Sequence, residues 1–395
     1  MWVLILLFFI IYFYFDFRLG QRIHNLVAKP RNYSEKMMDW ELFGDGQTLY
    51  EKLFKDIHEA EHHIHTLFFI IKNDNISKEF LQLLKQKAQQ GVTVRLLLDR
   101  IGGIRLPKKQ IQLLKKAGVQ FAYANKPAFP FIFFSLQKRN HRKVTVIDGK
   151  ISYFGGFNIG EEYLGRNPRL GFWRDFHMRI TGEATHILQK EFFNDWKRAT
   201  KEELTTEDQY FPLASTGQTP CTFLPTDGNG IQSPLLKMIQ RAKKEIIIAS
   251  PYFIPGKIIN SALIEAAKRG VHVIILVPLK ADHPLVREAA FPYFYGLLKA
   301  GCHIHRYDKG FYHGKVVLVD HEICDIGTAN FDKRSFFLND ELNCFIKDPS
   351  FLKRIYAEVM EDLDNARELT LDDYRRRSFM QRPIELVSSL LSGLL

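Results

Sequence analysis

Cysteine is scarce in this chain. The four residues Cys221, Cys302, Cys324 and Cys344 are scattered singly through 395 positions. That spacing excludes a disulfide framework and offers no paired-cysteine metal motif, so the thiols read as reduced core residues in a cytosolic setting. Clustered carboxylates are missing too, so chemistry without a metal or other cofactor is expected. The one metal-like cluster, HHIH at His62 to His65, is explained by alternation entering a strand. Negative charge is in deficit: 55 lysines and arginines against 44 acids give a formal charge of +11. An anionic partner such as nucleic acid or acidic lipid is implied, although charge does not choose between them. Wholesale disorder is excluded by a hydrophobic content of 46%, enough for two buried cores.

The chain opens on MWVLILLFFIIYFYFDF, apolar from Trp2 to Phe15, with no small-residue cleavage site behind it. It does not have the pattern of a removable signal. As a helix it covers roughly 25 Å, slightly less than the ~30 Å hydrocarbon core, a deficit that snorkelling arginines can make up. Arg18, Arg22, Lys29 and Arg31 all follow it, which puts the remainder on the cytoplasmic side of the cell membrane. Two alternatives remain open: a helix lying in the membrane surface, favoured by the run's short length and aromatics, and a helix buried in the core.

One unit is used twice. HRKVTVIDGKISYFGGFN at 141–158 aligns without a gap with HGKVVLVDHEICDIGTAN at 313–330. The flanks repeat as well, GVTVRLLLD with GVHVIILVP and KKAGVQFAY with LKAGCHIHRY. Short branched apolar runs read as buried strands, and amphipathic segments such as 78–90 and 258–269 read as helices. The fold class is therefore α/β, with a sandwich and one sheet in each half. The organisation expected is an anchor at 1–22, repeat one at 45–200, a linker at 200–230, repeat two at 231–370 and a basic, then apolar tail at 371–395.

HRKVTVID reads as a strand, so His141 and Lys143 project from one face toward a common point, as do His313 and Lys315. The Asp148–Gly149 pair suggests a tight turn into a second strand. That strand ends at Gly155 and Gly156, where a backbone can approach a ligand closely. Asn158 with Glu161 resembles a capped helix start, which also offers N–H groups to an anion. Two halves packed about a pseudo-twofold axis would bring two histidines, two lysines and two asparagines to one seam. Such a set suits phosphodiester chemistry by double displacement: one imidazole attacks phosphorus, the other moves the proton, and the cations and amides neutralise nonbridging oxygens. The residues alone leave open which histidine attacks.

The doubled HxKxxxxD pattern, with its following Gly and Asn, resembles the phospholipase D superfamily. The stretches WRDFHMRITGE, DHPLVREAAFPYF, GFYHGKVVLVD and GTANFDKRSFFLNDELN are similar to its bacterial cardiolipin synthases, from about residue 45 to the end. The resemblance implies two pseudo-twofold-related phospholipase D-like sandwich domains, each a mixed β-sheet flanked by helices, after a membrane helix. It implies a catalytic set of His141, Lys143, Asp148, His313, Lys315 and Asp320, with both aspartates holding the architecture rather than touching phosphate. Asn158, Asn330, Gly156 and Thr328 are expected at the substrate, and Asp175 and Glu341 are expected to orient the imidazoles. His141 is the nucleophile by family analogy. Many members carry two amino-terminal membrane segments, whereas this chain shows one.

The motif fixes the bond type and not the substrate, since lipases, lipid transferases and nucleases share it. Ahead of His141 lies an insertion centred on NKPAFPFIFFSLQKRN that the second copy lacks. Its phenylalanines, Phe129, Phe131, Phe133 and Phe134, are expected either in a buried strand or as an apolar lip for acyl chains, with Lys138, Arg139 and Arg142 on headgroups. The aromatics of DHPLVREAAFPYF are expected in the core, and the tail 371–395 either on a membrane or docked on the fold. A nuclease would use aromatics for stacking but has little reason for an anchor. The expected reaction is transfer of a phosphatidyl group between two phosphatidylglycerol molecules to give cardiolipin, with an anionic phospholipid membrane as partner and no nucleic acid. Hydrolytic phospholipase D activity is the alternative, followed by nuclease activity.

Overall fold

A computed structural model describes the whole chain except residues 29–30, 206–207, 284, 378–380 and 395. Lys29, expected among the cations that follow the apolar run, lies outside the described residues. So do Pro284 of DHPLVREAAFPYF and Ser378 to Met380 of the tail.

Fifteen strands form one mixed sheet. Instead of one sheet per half, the two halves share this single sheet, joined edge to edge. From its outer edge inward, the first half runs Gln120–Ala124, Thr93–Asp99, His63–Phe68, Val144–Ile147, Ile151–Gly155, His177–Thr181 and Lys36–Phe43. The second half repeats that order with His303–Tyr307, His272–Pro278, Glu245–Ala249, Val316–Val319, Ile323–Gly327, Asp340–Ile346 and Thr219–Asp227, and Ala366–Glu368 extends its rim. The seam is the antiparallel pairing of Lys36, Met37 and Met38 with Cys221, Pro220 and Thr219. Helices cover the sheet, and one apolar core beneath the seam draws on both halves, Val146, Phe154 and Met178 packing in the same cluster as Ile247, Leu318 and Leu342.

The segment 200–230, expected to be a linker, thus supplies a strand at the centre of the sheet. Its two prolines and its turn-like neighbours disguise it. The alternating burial along TPCTFLPTD shows a strand with one face packed.

In each half the motif aspartate sits in the turn after its strand, in the left-handed region, with φ of 53° at Asp148 and 55° at Asp320. Asp tolerates that region better than most residues. The Asp148 carboxylate accepts the main-chain N–H groups of Glu61, His62 and His63, each at 2.8 Å. Asp320 does the same for Lys243, Lys244 and Glu245. Each carboxylate ties the start of a neighbouring strand to the turn, at the strand end remote from the histidine.

The amino-terminal helix, Trp2–Val27, is long and apolar enough to cross a membrane, with a mean hydropathy of 2.0 over its best window. A place in the core is ruled out, because residues 2–15 are exposed and only Asp16 and Gly20 are buried. The base of the helix rests on the insertion, which forms neither a strand nor an open lip. Ile132–Gln137 is a short helix. Phe133 meets Phe13 at 4.9 Å between ring centroids, Phe134 stacks edge-on to Phe17, and the Phe134 N–H donates to Asp16 at 2.8 Å. Phe129 alone of the four phenylalanines stands well out, 85% exposed. A Cβ on Gly20 would lie 2.7 Å from the Phe134 side chain, so only glycine admits this contact.

Gly20→Val should therefore lift the base of the helix from the insertion. Hydrogen exchange over residues 16–25 is expected to accelerate, while the strands at 63–68 and 316–319 keep their protection; unchanged exchange at 16–25 would mean the contact does not hold the helix.

Candidate active site

The motif strand begins at Val144 rather than at His141, and the residues before it are held by the opposite half. The His141 N–H donates to Asp340 O at 2.9 Å, and the Asp340 N–H to Arg139 O at 2.9 Å. On the other side of the axis the His313 N–H donates to Arg174 O at 2.6 Å, and Phe172–Arg174 pairs with Gly310–Tyr312. Each contact carries a carboxylate with it, because Glu341 follows Asp340 and Asp175 follows Arg174. The His141 Nδ1–H donates to Glu341 Oε2 at 3.0 Å, and the His313 Nδ1–H donates to Asp175 Oδ2. A carboxylate accepts only from a protonated nitrogen, so Nδ1 carries the hydrogen and Nε2 is left as a lone pair.

Both rings border one cleft of about 680 Å³, along with Asn158, Asn330, Phe69, Trp173 and Tyr252. Its cations are Lys72, Arg105, Arg139, Arg169 and Arg334, a setting suited to a phosphate group. Asn330 presents a buried Oδ1 with no hydrogen-bond partner among the described residues. The Asn158 amide oxygen instead accepts the Ile70 N–H at 3.0 Å, and the short helix nearby, Glu161–Leu164, begins without a side-chain cap. The capped helix start expected at Asn158 and Glu161 is therefore absent: the asparagine is spent on a neighbouring loop.

Lys143 and Lys315 lie beneath the imidazoles. Each ammonium donates to the main-chain oxygen of its own histidine, Lys143 at 2.6 Å. Lys315 Nζ also lies 2.8 Å from His313 Nδ1. A single ring proton serves one partner there; the Asp175 carboxylate takes it, and the ammonium directs its protons to the oxygen.

Gly156 and Thr328 do not border the cleft. A Cβ on Gly156 would fall 2.0 Å from Asp175 Oδ1, so the glycine makes room for that carboxylate. The Thr328 hydroxyl donates to Glu341 Oε2 at 2.6 Å, and Ser335 donates to Oε1 at 2.8 Å. Both expected substrate contacts thus act one layer back, on the orienting acids. Arg334 and Ser335 escaped the sequence reading because the first copy, NIGEEYLG, has no counterpart to them; internal comparison finds only what both copies keep. Asp148 and Asp320 lie at the other ends of their strands.

The insertion's cations also differ from expectation. Arg142 is fully buried, with Asp195 at 2.7 Å, Asp227 at 2.7 Å and the Glu341 main-chain oxygen at 3.0 Å. Lys138 pairs with Asp340 and Arg139 with Asp99 at 3.1 Å. Of the three only Arg139 reaches the cleft. Their acids are remote in sequence, so the charge run looked free when it is neutralised. His63 and His65 of HHIH are buried in the strand His63–Phe68, beside Gln189.

Burial governs the titration of the site. It pushes His313 down to about 4, with the Lys315 charge adding to the effect, and pushes His141 down despite Glu341. Lys143 is brought down to about 7 by burial, and Lys315 is lowered for the same reason. Asp175 and Glu341 resist burial, because the lysines and histidines facing them hold both below the usual carboxylate range. At neutral pH the resting site therefore holds two neutral imidazoles backed by two carboxylates.

A family model described as "Cardiolipin synthase, PLD-like domain" matches residues 53–196 and 235–364. The minor cardiolipin synthase ClsB of Bacillus subtilis is 46% identical over 377 residues, which are 95% of this chain and 94% of the relative. A cardiolipin synthase of Staphylococcus aureus is 40% identical over 363 residues, covering 90% of this chain and 74% of the relative. Among solved structures, phosphatidylserine synthase from Haemophilus influenzae superposes with a TM-score of 0.71 at 15% identity, covering 96% of this chain and all of the other. That last likeness bears on the fold alone.

Histidines with a lowered pKa in the folded state, among them His63 at about 4 and His313 at about 4, leave the unfolded chain binding more protons between about pH 4 and 6.5. Stability is then fully present above pH 6.5 and is lost as pH falls through that window. Urea unfolding at stepped pH should record this loss, and His313→Gln should lessen it; an unchanged slope in the variant would show that His313 is not held neutral.

Proposed function

The chain belongs to the PLD-like cardiolipin synthase family, and on that premise we propose that it transfers a phosphatidyl group from one phosphatidylglycerol to the hydroxyl of another, releasing glycerol and forming cardiolipin. It is a phosphatidyltransferase of the phospholipase D superfamily. The observation that carries the mechanism is the pair of carboxylate-backed imidazoles, each contributed by a different half and both bordering the same cleft.

Nε2 of one histidine attacks phosphorus, a P–N bond forms, and the P–O bond to glycerol breaks. The opposite imidazolium gives its Nε2 proton to the departing alkoxide. Burial disfavours that cation, but the phosphodiester anion between the rings restores it. The same ring, now neutral, takes the proton of the incoming phosphatidylglycerol hydroxyl. Its oxygen attacks phosphorus and the P–N bond breaks, so both histidines return to their starting state. Family analogy makes His141 the nucleophile. Asp175 and Glu341 fix the Nδ1–H tautomers and stabilise the imidazolium. Lys143 and Lys315 place their charge beneath the rings, and Asn158 and Asn330 border the cleft in which charge builds on the nonbridging oxygens. Asp148 and Asp320 serve by holding the motif turns.

The amino-terminal helix is a candidate anchor. Arg18, Arg22 and Arg31 on its carboxyl side support a cytoplasmic location for both halves, at the leaflet where an anionic substrate meets a protein of charge +11.

Purified protein supplied with phosphatidylglycerol alone should yield cardiolipin and glycerol by mass spectrometry. Phosphatidic acid without cardiolipin would make it a hydrolase, and cleavage of oligonucleotides without lipid turnover a nuclease. His141→Ala and His313→Ala should each abolish turnover, and substantial activity in either removes the shared site. Asp175→Asn and Glu341→Gln should each lower kcat by roughly 10² to 10⁴, since each imposes the wrong tautomer.

A further inference from the structure

The carboxyl-terminal helix, Gln381–Leu391, packs with its polarity reversed. Its buried positions are Glu385 at 5% exposure and Ser388 at 0%, and Ser392 continues that face one turn on. Ile384, Leu386, Val387, Leu390 and Leu391 point away from the body, Leu386 at 64% and Leu390 at 78% exposure. A helix docked on a protein in water turns its apolar stripe inward. Here the inward face is fixed by polar contacts. Arg377 donates to Glu385 at 2.8 and 3.1 Å, and Lys333 Nζ donates to the Ser392 hydroxyl at 2.7 Å. The outward face is left as a band of leucine, isoleucine and valine; Arg382 on this helix and Arg375 and Arg376 at the end of the preceding helix, Leu371–Arg376, are exposed.

The position of the helix identifies what covers that band. Arg334, which borders the catalytic cleft, donates to Leu394 O at 2.7 Å and to Gln137 O at 2.7 Å. Gln137 ends the short helix that clamps the amino-terminal helix, and Gln21 of the latter donates to Phe337 O at 3.2 Å. The phenylalanine clamp that holds the amino-terminal helix and the end of the carboxyl-terminal segment thus meet at Arg334 on the rim of the cleft, and Leu394 reaches its lining. An exposed apolar helix face with arginines at and before the start of the helix fits a helix lying in the boundary between headgroups and acyl chains.

We propose that the carboxyl-terminal helix is a second membrane contact. It lies flat in the surface of an anionic bilayer with Leu386, Val387 and Leu390 inserted. Together with the amino-terminal helix it holds the mouth of the cleft against the headgroups, so that a lipid enters without leaving its leaflet.

The test uses the full chain in nanodiscs of phosphatidylglycerol and phosphatidylcholine. An environment-sensitive fluorophore is placed at Leu390→Cys, with the four buried native cysteines replaced by alanine, and in parallel at Gln82→Cys on the helix Asn75–Gln89 as a solvent-facing control. The probe at 390 should be quenched by brominated acyl chains and shielded from aqueous iodide, and the probe at 82 the reverse. Iodide quenching at 390 equal to that at 82, or energy transfer between labelled copies showing that a second chain covers the band, would overturn the proposal. This readout is independent of turnover, so it stands or falls separately from the reaction. Leu386→Ser with Leu390→Ser should lower turnover of bilayer phosphatidylglycerol by about tenfold or more through lost insertion, while leaving turnover of a dispersed short-chain analogue unchanged. Equal loss on both substrates would mark the band as merely structural.

Discussion

Everything at the active site depends on a pair of main-chain hydrogen bonds across the seam, from His141 to Asp340 and from His313 to Arg174. Each fixes a histidine at the residue immediately before the acid that will orient its ring. The exchange is reciprocal, so neither half owns a complete imidazole–carboxylate pair. The continuous sheet supplies the rigidity: Lys36–Phe43 and Thr219–Asp227 pair at the axis, and the strands that carry both motifs are set from there. Small rotation of one half against the other would break both pairs together, and the apolar core that draws on both halves resists it.

Charge is handled on the same principle. The site buries two lysines, two histidines and two acids, a costly assembly unless every member has a partner. The carboxylates are met by ring and hydroxyl donors, and the ammonium groups by main-chain oxygens. A second buried network, Arg142 with Asp195 and Asp227, and Arg31 with Glu191 and Asp227, sits directly behind the first. It ties the start of the motif to the segment that follows the amino-terminal helix. The basic run at 138–142 is therefore less a lure for headgroups than a set of braces, and apart from Arg139 the cleft's cations, Lys72, Arg105, Arg169 and Arg334, come from elsewhere in the chain.

The greasy stretch before those cations has an equally internal use. Phe133 and Phe134 are spent on Phe13 and Phe17, which sets the direction in which the apolar helix leaves the body. The candidate anchor and the catalytic cleft are thereby linked through one short helix, because its last residue, Gln137, also receives Arg334 from the rim of the cleft.

The sequence by itself determined the family. Two copies of His-x-Lys with their aspartate, glycine and asparagine at equal spacing carry the family resemblance and with it the proposed double displacement at phosphorus, and Asp175 and Glu341 were within its reach. Strand and helix alternation was legible because burial imposes periods of two and 3.6 on the chain. Only the tertiary structure decided the partners. That His141 takes its acid from the second half, that Thr328 and Gly156 serve the acids rather than the substrate, that Thr219–Asp227 is a central strand, and that Arg142 is neutralised all follow from contacts between residues far apart in the chain. A local pattern records what one residue type can do and which face it occupies; which remote group meets it is set by packing two halves about an axis, and no spacing along the sequence encodes that.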